Sequence, residues 1–150
     1  QAAVLEASRC KELVDRFPDG LGTRITEGGA SLSSGERQLI SVARAFSTDP
    51  EMIILDEATS NLDIGHTLAL MTLAADRVKN KGLTVISVMQ DLNLAARFCR
   101  SLMFLKNGRV AAHGPVDEVF TESVIKEVFD VSPRVYFDEI IHCKQVVFLN

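Results

Sequence analysis

The sequence predicts an α/β fold: a largely parallel sheet flanked by helices, with an antiparallel hairpin at its edge. Three observations carry this. Met52-Ile53-Ile54-Leu55, led in by Pro50 and followed by Asp56 and Glu57, is too short for a helix and reads as a buried parallel strand tipped with carboxylates. After a helical stretch closed by Gly82, the run from Leu83 to Met89 is rich in β-branched residues and supplies a second strand. Lys106-Asn107-Gly108-Arg109 lies between two apolar runs, and Asn-Gly accepts the positive φ angles of a type I′ hairpin turn.

Taken in order, residues 2 to 17 set Ala2, Ala3, Leu5, Leu13, Val14 and Phe17 at helical spacing, and Pro18-Asp19-Gly20 stops the pattern. Residues 19 to 31 are rich in Gly, Thr and Ser and predict a loop. A helix is expected from Ser33, because Ser33 and Glu36 have capping-box spacing and Leu39, Ile40, Val42, Ala43, Ala45 and Phe46 follow as an apolar face. Beyond the acid-tipped strand, Asp63 is placed to cap a helix that runs to about Asn80. Gln90 and Asp91 sit at the tip of the second strand, before a helix from Leu92 to Cys99. The hairpin arms are Ser101 to Leu105 and Val110 to His113. Pro115 suits the first position of a short helix through Phe120, and Thr121 can cap another through Phe129. Val135 to Ile141 and Gln145 to Leu149 are the last strands expected.

A chain of 150 residues with 47% hydrophobic content is long enough to bury a core. Its net charge of −4, with Lys and Arg scattered, argues against a nucleic-acid partner. Cys10, Cys99 and Cys143 are too irregularly spaced for a disulfide framework or a zinc site, and read as free thiols of a reducing cytosol. His66, His113 and His142 lack ligand spacing. No apolar run approaches the about 18 residues of a membrane span, so direct membrane insertion is not expected. The chain opens on Gln1 inside a helical pattern, and residues upstream of it are expected.

Chemistry is expected at two places. Open α/β sheets keep their ligands at the carboxyl ends of strands. There one of the adjacent carboxylates of Asp56 and Glu57 could hold Mg²⁺ through its water shell while its neighbour orients or deprotonates a nucleophilic water. The first-turn amides and dipole of the helix at Ser33, with the Ser34 hydroxyl and Gly35 beside them, would make a phosphate seat.

With these pieces in place, the sequence resembles the ATP-binding subunit of an ABC transporter over essentially its whole length. Leu32-Ser33-Ser34-Gly35-Glu36-Arg37-Gln38 resembles the family signature motif, Ile53-Ile54-Leu55-Asp56-Glu57 its Walker B strand, and Ser60-Asn61-Leu62-Asp63 its D-loop. The combination at this spacing is specific where each motif alone is not. Residues 13 to 31 are more similar to exporter-type members. Gln90-Asp91-Leu92-Asn93-Leu94-Ala95-Ala96-Arg97 and the stretch Lys106 to Gly114 are more similar to importers of iron chelates or cobalamin.

The resemblance implies an incomplete P-loop NTPase fold in one partial domain, with a signature-bearing part (1–50), a core (51–114) and a C-terminal appendix (115–150). It implies ATP and Mg²⁺ as ligands of a completed site, a head-to-tail dimer with another ABC ATPase subunit, and transmembrane transporter subunits as partners. The assembly would be cytoplasmic, peripheral at the inner face of a membrane. Ser33, Ser34, Gly35 and Glu36 would face the partner's nucleotide, Asp56 would hold Mg²⁺, Glu57 would be the general base, Gln90 would face the γ-phosphate and Asp63 would communicate across the dimer.

Two departures stand out. No G-x-x-x-x-G-K-[ST] phosphate loop occurs in the 150 residues, and neither do the Q-loop nor the adenine-stacking aromatic strand. The switch position, usually His, is Gln90, which can hydrogen-bond an oxygen but carries no positive charge. Two functions are therefore expected of the chain: the hydrolytic part of a transport ATPase, or a non-catalytic interaction module or inactive remnant without its own nucleotide site. An ABC ATPase acting on DNA or ribosomes is disfavoured by the acidic charge and the lack of heptads and basic tracts. A sheet without its phosphate-loop half is also expected to bare apolar area and to favour self-association.

Overall fold

The computed structural model describes residues 10–25, 31–56 and 62–149. The chain divides into two compact units, Gln1–Val88 and Met89–Asn150. The first holds α1 (Cys10–Val14), a 3-10 turn at Gly20–Gly22, α2 (Ser34–Ser47), β1 (Met52–Leu55), α3 (Ile64–Lys81) and β2 (Thr84–Ser87). Of the helix expected over residues 2 to 17, residues 2–9 lie outside the described residues, and the described part is helical over Cys10–Val14.

The parallel pairing is as expected: Met52 lies opposite Thr84 and Leu55 opposite Ser87. The main-chain bonds from Thr84 N–H to Glu51 O and from Val88 N–H to Leu55 O prolong it at both ends. Gly82 ends α3 in the left-handed region at φ 69°, where a side chain would be strained. One face of the pair packs on the helices, so that Ile53 and Leu55 of β1 share a core with Leu39 and Phe46 of α2 and with Leu70 and Leu73 of α3. Full burial of such a side chain stabilises by about 1.5–3 kcal/mol.

The expected fully buried strand is corrected here. Burial alternates along β1, and Ile54 is 67% exposed while Leu55 is 4% exposed. Met52, Ile54, Ile86 and Val88 are all exposed, because the described helices cover one face of the pair only. This is the bare apolar area anticipated from the sequence, and parallel sheets ordinarily cover both faces.

The second unit holds α4 (Leu92–Phe98), β3 (Ser101–Lys106), β4 (Arg109–Pro115), α5 (Val116–Val119), α6 (Glu122–Phe129), β5 (Ser132–Asp138) and β6 (Cys143–Leu149). Asn107 at φ 51° and Gly108 at φ 72° make the β3–β4 turn that the Asn-Gly pair predicts. That hairpin, the β1–β2 pair and the β5–β6 hairpin are each a two-stranded sheet. Thr121 caps α6 by accepting from Val124 N–H, as anticipated. Pro115 lies at the N-cap of α5, one place earlier than expected.

β5 starts and stops three residues before the predicted strand. Asp138 Oδ1 accepts from the N–H groups of Ile140 and Ile141, which folds those two residues into the turn. The core of this unit gathers Phe104, Val119, Phe120, Ile125, Val128 and Val146. Phe104 and Phe129 meet edge to face with ring centroids 6.2 Å apart.

Candidate functional site

The start of α2 is the best-defined part of the site. Ser33 Oγ accepts from Glu36 N–H at 3.2 Å, and Glu36 Oε2 accepts from Ser33 N–H at 2.7 Å, so the capping box is complete. Arg16 reaches Glu36 Oε1 from the preceding segment, and the Arg37 guanidinium donates to Leu32 O at 2.5 Å. The Ser33 N–H bond, then the Arg16 guanidinium, hold the Glu36 carboxyl below the usual glutamate range. Arg16 and Glu36 are 20 residues apart, so no local sequence signal announces their pairing.

Because Glu36 is held low in the folded chain, its contribution to stability is complete above its ordinary value and is lost as pH falls through the folded value. The first unit is therefore expected to lose stability on acidification below the carboxylate range. Glu36→Gln, which keeps the capping acceptor, should flatten that part of the profile of unfolding midpoint against pH. An unchanged profile would assign the acid sensitivity elsewhere. Ser33→Ala should cost about 1 kcal/mol in denaturant unfolding at neutral pH through loss of the cap.

Asp56 stands exposed at the carboxyl end of β1. Glu57, the proposed general base, lies outside the described residues together with Ser60 and Asn61 of the D-loop. Asp63 caps α3: Oδ1 accepts from His66 N–H at 2.9 Å and Oδ2 lies 2.5 Å from His66 Nδ1. The main-chain bond from His66, then the ring, draw the Asp63 carboxyl below its ordinary range.

Ser33, Ser34, Gly35 and Glu36 are thus brought together at one helix terminus, while Gln90 belongs to the second unit, exposed and directly before the Asp91 cap of α4. Among the described residues no group of three or more His, Cys, Asp or Glu could hold a metal ion. A cavity of about 390 Å³, lined by Asp49, Glu51, Arg77 and Lys81 among others, lies at the other end of the strands. It is remote from the carboxyl ends, where such sheets bind their ligands.

The capped helix and the acid-tipped parallel strand carry the residues in which the sequence resembles an ATP-binding domain of the ABC class. Residues 6–60 match the family model described as ABC transporter. The chain belongs to the ABC transporter ATP-binding family. It is 37% identical over 108 residues to an iron(3+)-hydroxamate import ATP-binding protein of Bacillus subtilis, an alignment covering 72% of this chain and 40% of that protein. It is 42% identical over 109 residues to a hemin import ATP-binding protein of Rhodopseudomonas palustris, covering 67% of this chain and 40% of that protein.

The chain therefore spans about 40% of the length of these relatives. Its fold matches a chain in a solved inward-facing structure of a metal-chelate type ABC transporter, with a TM-score of 0.73 at 21% identity, over 98% of this chain and 56% of that one. The expected incomplete P-loop NTPase fold agrees with that match. No described helix is long and apolar enough to cross a membrane.

Proposed function

We propose that this chain is part of the ATP-hydrolysing component of an ABC importer. It would contribute the signature helix, the metal carboxylate and the general base to nucleotide sites shared between two ABC ATPase subunits, at the cytoplasmic face of a membrane and joined to transmembrane subunits. The observation that carries the reading is the intact capping box at Ser33 and Glu36, which fixes the start of the signature-like helix α2, a helix terminus of the kind that suits an anion. The importer class rests on the printed names of the relatives and on the resemblance of residues 90 to 114 to iron-chelate and cobalamin importers.

In this reading Ser33, Ser34 and Gly35 bind the γ-phosphate held by a partner's phosphate loop, and Asp56 holds Mg²⁺ through water. Bound there, the ion would neutralise charge developing on the phosphate oxygens. Glu57 takes the proton of the attacking water. Gln90 orients the γ-phosphate or that water by hydrogen bonding, and Asp63, fixed by its cap on α3, faces across the dimer.

The isolated chain is read as lacking a complete site of its own. Titrating Mg-ATP calorimetrically into it is expected to give no binding at micromolar concentrations, and tight binding would overturn this. Joining the phosphate-loop half of a complete ABC ATPase ahead of Gln1 is expected to create Mg-ATP binding and turnover. In that joined protein Gln90→His should raise turnover by about tenfold or more, because an imidazolium adds charge at the γ-phosphate. An equal or lower rate would remove Gln90 from the site.

A further inference from the structure

We propose that Asn93 is a positioning residue for Gln90, coupling the C-terminal hairpin to the segment on which Gln90 stands. The functional consequence rests on the reading of Gln90 given above; the coupling itself is a matter of geometry. Asn93 Nδ2 donates to Val146 O at 3.1 Å, and Val146 N–H donates to Asn93 Oδ1 at 2.7 Å. One carboxamide thus copies a rung of strand ladder on the free edge of β6. A carboxamide carries donor and acceptor side by side; a carboxylate or an aliphatic side chain does not.

The main chain of the same residue is tied the other way. Asp91 Oδ1 accepts from Asn93 N–H at 2.9 Å and from Leu94 N–H at 3.0 Å, and Gln90 is the residue directly before Asp91. Val146 is 3% exposed within the core that holds Phe120 and Ile125, so β6 is firmly seated. A shift of the hairpin is carried through the Asn93 carboxamide into the first turn of α4, and from its cap to Gln90.

The opposite edge supplies a control. Val135 pairs with Val146, and Val135 N–H donates to Glu122 Oε1 at 3.0 Å, so β5 is held by a residue of α6. Both outward N–H groups of this rung are therefore taken by side chains, and the one on β6 is taken by a residue whose own main chain bonds to Asp91.

The test is nuclear magnetic resonance on the ¹⁵N-labelled 150-residue chain, without nucleotide. Asn93→Ala should speed hydrogen exchange at Val146 N–H by roughly 3- to 10-fold, and should move the main-chain and side-chain amide resonances of Gln90. Glu122→Ala should speed exchange at Val135 and leave Gln90 unmoved. Faster exchange at Val146 with Gln90 unmoved would reduce Asn93 to an anchor of the hairpin, and unchanged exchange would remove the pairing altogether; either result overturns the proposal. Should Asn93→Ala not fold, Asn93→Leu, which offers Val146 neither donor nor acceptor, is read in the same way. Failure of Gln90→His to raise turnover in the joined protein would sink the role of Gln90 and leave these shifts standing, so the two ideas fail separately.

Discussion

Glu57→Gln in the joined protein is expected to lower ATP turnover by about 10²–10⁴-fold, the usual worth of a positioned general base, while Mg-ATP binding persists. The amide keeps the size and hydrogen-bonding reach of the carboxylate but cannot accept the proton of the attacking water. Asp56→Asn should behave differently, because a residue that holds Mg²⁺ contributes to binding as well as to rate, so the affinity for Mg-ATP should fall along with turnover. Calorimetry and steady-state turnover on the two variants separate the roles of these adjacent acids. A Glu57→Gln protein retaining most of its rate would show that the base is another group.

Phe120→Ala is expected to destabilise the second unit by about 3–5 kcal/mol. The Phe120 ring is fully buried, and its carbonyl accepts from Lys144 Nζ at 3.4 Å, close to the 2.7 Å bond from the same ammonium to Asp117 O. Truncation would open a cavity beneath β3, α6 and β6 at once, and a unit of this size has only a few kcal/mol to lose. Urea unfolding followed by circular dichroism should show the second unit melting early or already unfolded. Ile125→Val, which removes a single methylene from an equally buried side chain, should cost about 0.5–1.5 kcal/mol. A loss for Phe120→Ala no larger than that for Ile125→Val would mean that the core closes over the gap.

Local chemistry was read from the sequence most securely. The capping box at Ser33 and Glu36, the Asp63 cap, the left-handed stop at Gly82, the Asn107-Gly108 turn and the Thr121 cap all depend on residues within a few positions of one another. Such bonds need no tertiary partner, so the residue types suffice. The end of β5 was misplaced because β propensity at Ile140 and Ile141 competed with the side chain of Asp138, and the turn won.

The amino-acid sequence by itself determined the family, the fold class, the capped helix starts at Ser33, Asp63 and Thr121 and the residues to which site roles are assigned, because motifs and caps are short-range patterns. Tertiary structure decided which strand face is covered, since Ile54 and Leu55 are equally apolar and only the placement of α2 and α3 buries one and bares the other. It also decided that Arg16 steadies Glu36 and that Asn93 brackets Val146 across 53 positions. Those pairings exist only once the chain has folded back on itself, because packing brings together residues that no periodicity connects.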